Sequence, residues 1–249
     1  MKSIPTAMFA LAALCAQPVL AQTLVAAGAA PAAALPAPAE KPELKYLAAS
    51  DLLPQRLLAQ PPIRGSEREQ LELQTLHAMI KAATPERLAR AAEDNDHEDP
   101  SIFNEALGRD LKKLPATWAL LITVQNELEA AMGISKEAFG RLRPYGIDDT
   151  MPTCVKVDKA KAARSYPSGH AGLGWGVGWF LVRLVPTMAP AILDRADDYA
   201  LSRQLCGVHF ASDTEASHVV GTVVAERLLN DPRLVGPIAA ARAELASGQ

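Results

Sequence analysis

The sequence predicts an all-α fold, a single compact helical bundle, on three observations. From Ser66 onward, apolar residues recur at the spacing of a helix face, and no segment alternates polar and apolar residues as a half-buried strand does. A capping serine or a proline in the first turn precedes several of these segments. The composition, with 49% hydrophobic and 21% charged residues, is that of a globular protein. The formal net charge of −3 provides no basic footprint for a nucleic-acid partner.

The first 44 residues are predicted to precede the bundle. Lys2 is followed by a short apolar stretch over residues 7–14, and residues 19–21 end in a small residue of the kind that signal peptidase favours. We therefore predict a signal peptide over residues 1–21 and a periplasmic location, with an ordinary N-terminal helix as the alternative. Residues 22–44 are rich in Ala and Pro, which is typical of a flexible leader. Beyond the N-terminus no apolar run is long enough to span a bilayer, so we expect no membrane anchoring.

The predicted bundle covers residues 45–249. Ser66 is the predicted cap of its first long helix, and Thr84 followed by Pro85 begins the second. The acidic stretch 93–99 is predicted to be a solvated turn. The other predicted elements are an extended strip over 45–62, helices over 101–108, 115–132, 135–142, 169–185, 189–206, 213–230 and 232–246, and a long polar connection over 145–166.

Two cysteines, Cys154 and Cys206, are left after cleavage of the signal peptide. An even number of cysteines in an exported chain indicates a disulfide, and two buried thiols are the alternative. The bridge would join the long polar connection to the end of a later helix.

A first cluster of candidate functional residues is a pair of cations, Lys136 and Arg143. Their separation is close to two helical turns, so the spacing predicts that both lie on one helix face. Pro144 would end that helix and leave the Arg143 guanidinium at its end. A solvated basic face is the alternative for this pair.

A second cluster, Ser168, Gly169 and His170, stands at the predicted start of an apolar helix. Ser168 can cap the helix, and Gly169 allows an oxyanion to approach the backbone closely. The free N–H groups of a helix start attract anions, and His170 would lie beside whatever binds there. A plain turn that caps a buried helix is the alternative.

A third cluster contains Arg203, His209 and Asp213. In a helical segment Asp213 would reach the imidazole of His209 and fix its tautomer, while a satisfied core histidine is the alternative. Taken together, the three clusters place cations, backbone donors and two histidines around one oxyanion, which fits phosphoryl transfer. No zinc spacing, carboxylate cage or Walker loop is present in the sequence, so we expect no metal and no cofactor.

The residues of the three clusters form the sequence patterns K-x6-RP, PSGH and SR-x5-H-x3-D. In these patterns the chain resembles the type-2 phosphatidic acid phosphatase and vanadium haloperoxidase superfamily, and within it the class A bacterial non-specific acid phosphatases. The resemblance covers roughly residues 45–232. It implies a periplasmic, metal-independent acid phosphatase that hydrolyses phosphomonoesters to inorganic phosphate, has phosphotransferase activity as a side reaction and forms a homodimer.

The resemblance also implies a role for each matched residue. His209 would be the nucleophile that becomes a phosphohistidine, Asp213 would orient it, and His170 would act as general acid and then as general base. Near the motifs, Ala171 and Arg164 depart from the usual pattern, and we expect Arg164 to favour more anionic substrates. The residues implied in binding the phosphate are Lys136, Arg143, Ser168, Gly169 and Arg203.

Two other functions compete with a phosphatase. A vanadate-dependent haloperoxidase shares the oxyanion cage, although such enzymes are usually much longer. A non-catalytic periplasmic phosphate-binding module is the second alternative, but simple binding does not need a nucleophile and an acid.

Overall fold

The computed structural model describes residues 43–247, and the structural statements below concern those residues. The predicted signal peptide (1–21) and all but the last two residues of the predicted leader (22–44) lie outside the described residues. The described chain is all-α, as predicted, and no strand occurs in it. In chain order its α-helices are α1 (Ala49–Leu52), α2 (Pro54–Leu57), α3 (Glu67–Ala82), α4 (Pro85–Asp96), α5 (Asn104–Leu107), α6 (Pro115–Phe139), α7 (Pro144–Ile147), α8 (Gly169–Leu184), α9 (Ala189–Leu205), α10 (Ala211–Leu229) and α11 (Val235–Ala246).

The predicted starts of α3 and α4 are confirmed. The Ser66 hydroxyl accepts a hydrogen bond from the Glu69 N–H at 3.3 Å, and the Thr84 hydroxyl accepts one from the Arg87 N–H at 3.2 Å. Each side chain satisfies one of the N–H groups that a helix start leaves without an intrahelical partner.

The segment predicted as two helices, 115–132 and 135–142, is the single helix α6. Gly133 lies inside it, since one glycine costs a helix only about 1 kcal/mol and the apolar face continues past it. The helix ends before Gly140, which has a φ of 58°, a left-handed value that favours glycine. Pro144 therefore does not end the helix that carries Lys136, and it begins the short helix α7 instead.

The acidic stretch 93–99 is not a solvated turn. Helix α4 continues to Asp96, and Asp94 is buried, with only 3% of its surface exposed. Its carboxylate pairs with Arg195 at 2.5 Å and accepts from the Ser202 hydroxyl at 2.5 Å. The run of acidic residues in the sequence does not indicate that Asp94 faces the core while its neighbours are exposed.

Helix α8 lies at the centre of the packing, where it contacts α6, α9 and α10. Its glycines allow close approach: a Cβ added at Gly221 on α10 would lie 2.8 Å from the Gly176 nitrogen and 3.0 Å from the Gly172 oxygen. The two helices also join at their N-terminal ends, where the Ser168 N–H donates to the Asp213 carbonyl at 3.3 Å. This crossing brings the second and third sequence clusters together.

The strip over residues 45–62 lies against the bundle, and α1 and α2 interrupt it. The buried Glu127 carboxylate on α6 accepts from the N–H groups of Lys45, Tyr46 and Leu47 at 2.5 Å, 3.0 Å and 3.2 Å. One carboxylate on α6 thus fixes the start of the strip.

A disulfide joins Cys154 and Cys206, as predicted, with their Cα atoms 4.7 Å apart. It connects the long loop after α7 to the residue that follows α9. Gly207 comes next, with a φ of 65°, and begins the turn that presents His209. The disulfide is therefore attached directly to one side of the candidate site.

Candidate active site

The start of α8 forms one wall of the site. The Ser168 hydroxyl accepts from the Ala171 N–H at 3.4 Å, which confirms Ser168 as the helix cap. The Ser168 carbonyl accepts from the hydroxyl of Ser217 on α10 at 2.8 Å. Gly169 and His170 therefore stand in the first turn of a helix whose start is fixed against α10.

His209 lies in the turn before α10 and not on a helix, which corrects the predicted helical spacing. It reaches Asp213 because Asp213 is in the first turn of α10 and its carboxylate points back along the chain. The Nδ1 atom of His209 lies 3.3 Å from Oδ2 of Asp213, and the same oxygen accepts from the Phe210 N–H at 2.9 Å. His209 and Asp213 therefore pair as predicted, but His209 lies in a turn and not on the same helix as Asp213.

Two further groups bind the Asp213 carboxylate, and the sequence analysis missed both. The Arg141 guanidinium donates to Oδ1 at 2.7 Å, and the Ser165 hydroxyl donates to Oδ2 at 2.6 Å. Burial raises the pKa of Asp213 above its usual value, and Arg141, Ser165 and the Phe210 N–H only partly oppose this. These donors all need an oxygen acceptor, which favours the ionised carboxylate. Arg141 also pairs with Glu72 on α3 at 2.6 Å, so the network extends across the bundle.

Lys136 is buried on α6 and points towards the start of α8. Its ammonium group donates to the carbonyl of Arg164 at 3.1 Å and to the carbonyl of Pro167. Burial, together with the charges of Arg143 and Arg164, lowers the pKa of Lys136 to about 7. The site thus contains a lysine whose charge depends on pH near neutrality.

Arg143 and Arg203 complete the set of cations. Arg143 lies between α6 and α7, so it does not share a helix face with Lys136, although its charge acts on that residue. Burial lowers the pKa of Arg203 to about 10. Nε of Arg143 and both Nε and NH1 of Arg203 are buried and have no hydrogen-bond partner within residues 43–247. Buried guanidinium N–H groups without acceptors fit an oxyanion ligand.

His209 is held in its neutral form by its surroundings. Burial, followed by the charges of Arg143, Lys136 and Arg203, moves the pKa of His209 well below its usual range. A neutral ring that donates Nδ1–H to Asp213 keeps a lone pair on Nε2. The arrangement therefore favours the unprotonated ring, with a free lone pair on Nε2.

His170 is bonded at both ring nitrogens. Nδ1 lies 3.0 Å from Oε1 of Glu98, and Nε2 lies 3.0 Å from the carbonyl oxygen of Asn95. The ring also stacks on Tyr199, with centroids 5.9 Å apart. Neither Glu98 nor Asn95 was predicted, since both lie in the stretch interpreted as a turn.

A cleft lies beside Lys136 and the start of α8. Lys136, Arg164, Gly169 and Glu98 line it. Ala171 is fully buried and faces the core instead. Of these two positions, only Arg164 lies on the cleft.

Within residues 43–247, no group of three or more His, Cys, Asp or Glu side chains is placed to hold a metal ion. None of the helices described there is both long and apolar enough to cross a membrane.

Comparison with known proteins gives one family and several named relatives. The family model described as the PAP2 superfamily matches residues 115–233, which include every residue of the three clusters. An "Acid phosphatase" of Zymomonas mobilis subsp. mobilis is 29% identical over 195 residues, covering 76% of this chain and 74% of the relative. A "Non-specific acid phosphatase" of Providencia stuartii is 29% identical over 215 residues, covering 83% and 86%. Another protein with that name, from Salmonella typhi, is 31% identical over 170 residues, covering 64% and 66%.

Proposed function

The chain belongs to the PAP2 superfamily, and on that premise we propose that it is a periplasmic acid phosphatase that hydrolyses phosphomonoesters through a phosphohistidine intermediate. Its relatives are named acid phosphatases, which supports a phosphoric monoester hydrolase. The observation that carries the proposal is His209, a buried neutral imidazole held by Asp213 among three cations.

In the proposed first step the phosphate of the substrate lies among Lys136, Arg143 and Arg203, beside the start of α8. Nε2 of His209 attacks phosphorus, the bond to the ester oxygen breaks, and His170 gives its proton to the departing alkoxide. The cations stabilise the charge on the phosphoryl oxygens in the transition state. The products of this step are the free alcohol and a phosphohistidine.

In the second step His170 takes a proton from water as the water oxygen attacks phosphorus. The bond from phosphorus to Nε2 breaks, and inorganic phosphate leaves with His209 neutral again. An alcohol in place of water would receive the phosphoryl group, which is the proposed phosphotransferase side activity. No step needs a metal, and metal independence is part of the proposal.

The test is hydrolysis of p-nitrophenyl phosphate in excess EDTA from acid to neutral pH. We expect turnover by the wild type and a loss of roughly 10⁴-fold in kcat for His209→Ala. His218→Ala is the matched control, because the ring of His218, on α10, stacks on Trp175, on α8. Quenching in alkaline denaturant with labelled substrate, which preserves the acid-labile bond between phosphorus and nitrogen, should trap a phosphohistidine in the wild type and in His218→Ala but not in His209→Ala.

Other outcomes decide between the alternatives. Turnover that survives His209→Ala would contradict the assigned nucleophile. A folded wild type that saturates with phosphate without turnover would be a binding module. Halide oxidation that requires vanadate and peroxide would instead indicate the haloperoxidase.

Export and assembly are also proposals. The periplasmic location rests on the features of residues 1–21, and a homodimer rests on the family resemblance. Light scattering on the purified mature chain tests the dimer, and a monomer mass at micromolar concentration would contradict it.

A further inference from the structure

Arg141 bridges two carboxylates behind the candidate nucleophile. It occupies one of the six unspecified positions of the K-x6-RP pattern, yet its side chain is only 3% exposed. NH1 of its guanidinium donates to Oδ1 of Asp213 at 2.7 Å and to the Ser212 hydroxyl at 2.7 Å. NH2 donates to Oε2 of Glu72 on α3 at 2.6 Å. Since Asp213 holds the ring of His209, the bridge connects α3 to that ring.

The position of the Arg141 guanidinium is fixed from several sides. Its central carbon lies 4.0 Å from the centre of the Phe210 ring, which is a cation–π contact. The Arg141 carbonyl accepts from the Ser165 N–H at 3.0 Å, and the Ser165 hydroxyl donates to Oδ2 of Asp213 at 2.6 Å. Both oxygens of the Asp213 carboxylate are therefore held by groups that are also bonded to each other.

Glu72 belongs to a helix that precedes the region matched by the family model. That region is 115–233, whereas α3 covers Glu67–Ala82. The Glu72 side chain is 15% exposed and pairs with Arg141. Arg68, one turn earlier on α3, is exposed, so solvent screens its charge. The N-terminal part of the chain thus adds a carboxylate to the network behind the nucleophile.

The charges of this network act on His209 together. Burial raises the pKa of Asp213, and the charge of Arg141 is the largest influence that opposes the rise. The same cation, however, offsets the negative charge that Asp213 presents to the imidazole. The carboxylate of Glu72 balances Arg141, so the paired groups keep a net negative charge beside the ring.

We propose that Glu72, through Arg141, is a positioning residue that keeps the Asp213 carboxylate able to stabilise the charge that forms on the nucleophilic imidazole. This inference rests on the proposed hydrolase function. When Nε2 of His209 bonds to phosphorus and the bond to the ester oxygen breaks, the ring keeps its Nδ1 proton and becomes positively charged. His170 gives its proton to the departing oxygen. When water takes the phosphoryl group, the electron pair returns to Nε2 and the ring is neutral again.

The test compares Glu72→Gln with Glu69→Gln. Glutamine keeps an oxygen that can accept from Arg141 but removes the charge. Glu69 is a buried carboxylate on the same helix that accepts from the Gly65 N–H at 2.7 Å and not from Arg141, which makes it the matched control. Arg141→Met is less suitable, since it would leave two carboxylates without their cation and destabilise the fold.

The first measurement is the rate of phosphohistidine formation, by rapid mixing with labelled p-nitrophenyl phosphate and quenching in alkaline denaturant. For Glu72→Gln we expect this rate to fall about 10-fold, because unit charges roughly 10 Å apart inside a protein interact by about that factor. The inhibition constant for sulfate should not rise, because removing an anion does not repel an oxyanion. Glu69→Gln should match the wild type in both measurements. Glu72→Asp, which restores the charge, should recover part of the rate.

The second measurement, NMR of nitrogen-15-labelled histidine rings, does not depend on turnover. The chain has five histidines, and the signals missing from His209→Gln identify His209. In Glu72→Gln the Nδ1–H proton resonance of His209 should move upfield, because Asp213 becomes a weaker hydrogen-bond acceptor. In Glu69→Gln it should not move.

Two results would overturn the inference. One is a rate and a ring signal in Glu72→Gln that equal those of Glu69→Gln. The other is a sulfate inhibition constant that rises as the rate falls, because that would indicate a damaged phosphate site and not a lost charge. Absence of p-nitrophenyl phosphate turnover in the wild type would instead contradict the proposed function, and the NMR comparison would still decide whether Glu72 acts on the His209 ring.

Discussion

Lys136 is the cation of the site whose charge changes near neutral pH. Its pKa is lowered to about 7, because burial and the neighbouring Arg143 and Arg164 oppose the protonated form. Below that pH the ammonium is charged and attracts an oxyanion, and above it the attraction is lost. By linkage, a bound oxyanion raises the pKa of Lys136, so binding and protonation favour each other.

We therefore expect the affinity for an oxyanion inhibitor to weaken as pH rises through neutrality. Sulfate is the suitable probe, since its own charge does not change in this range. Its inhibition constant should rise roughly 10-fold between about pH 6 and about pH 8. In Lys136→Met the constant should be high throughout and vary less with pH. Parallel profiles for the two proteins would show that another group, not Lys136, carries the pH dependence.

At the same scale, the residues that a motif names were predictable and the residues that support them were not. Lys136, Arg143, Arg203 and the two histidines meet as the patterns indicated. Arg141, two positions before Arg143, binds Asp213. Nothing in the sequence shows that its side chain is buried in the site and not exposed to solvent. Glu98 and Asn95 are hidden in the same way, because contacts to His170 depend on where α4 ends in space.

At the scale of helices, the crossing of α8 and α10 determines where the two histidines stand. The crossing is close because Gly221 faces the backbone of Gly172 and Gly176, whose atoms cannot move aside as a flexible side chain does. His170 begins one helix of this pair and His209 precedes the other. A change in helix spacing is therefore transmitted to the site.

Gly221→Ala should lower the free energy of unfolding by about 1–3 kcal/mol, the usual cost of overpacking, because the added Cβ meets backbone atoms. Gly133→Ala is the matched comparison, since Gly133 is inside α6 and an added Cβ meets nothing within 4 Å. There we expect a gain of roughly 0.5–1 kcal/mol from better helix propensity. Urea unfolding of the three proteins measures both changes, and equal stability of the two variants would contradict the packing argument.

The helices themselves were largely predictable, and their exact ends were not. Capping by Ser66 and Thr84 is a local property, so the starts of α3 and α4 followed from the sequence. The continuity of α6 through Gly133 depends on packing against neighbouring helices, which a local pattern does not contain. His209 lies before α10 for a similar reason, since the turn at Gly207 is fixed by contacts from a distant loop.

For the whole molecule, the Cys154–Cys206 disulfide connects stability to the site. It closes a loop with a sequence separation of 52, and the Cys154 N–H also donates to the Cys206 carbonyl at 3.3 Å. A Cβ at Gly207 would collide with the Pro152 carbonyl, so the same loop packs directly on the turn that presents His209. Removing the bridge would release that loop from the turn that presents His209.

Cys154→Ser/Cys206→Ser should therefore lower the free energy of unfolding by about 2–4 kcal/mol, the range typical of native disulfides. A reductant should bring the wild type to the melting temperature of the variant and leave the variant unchanged. A melting temperature that does not respond to reduction would show that α4, α9 and the loop after α7 hold the His209 turn without the bridge.

When the full-length sequence is expressed, the protein recovered from the periplasm should begin at Gln22 and have no free thiols, because the bridge forms after export. An intact Met1 or two reactive thiols in that fraction would contradict the proposed signal peptide or the proposed oxidising location.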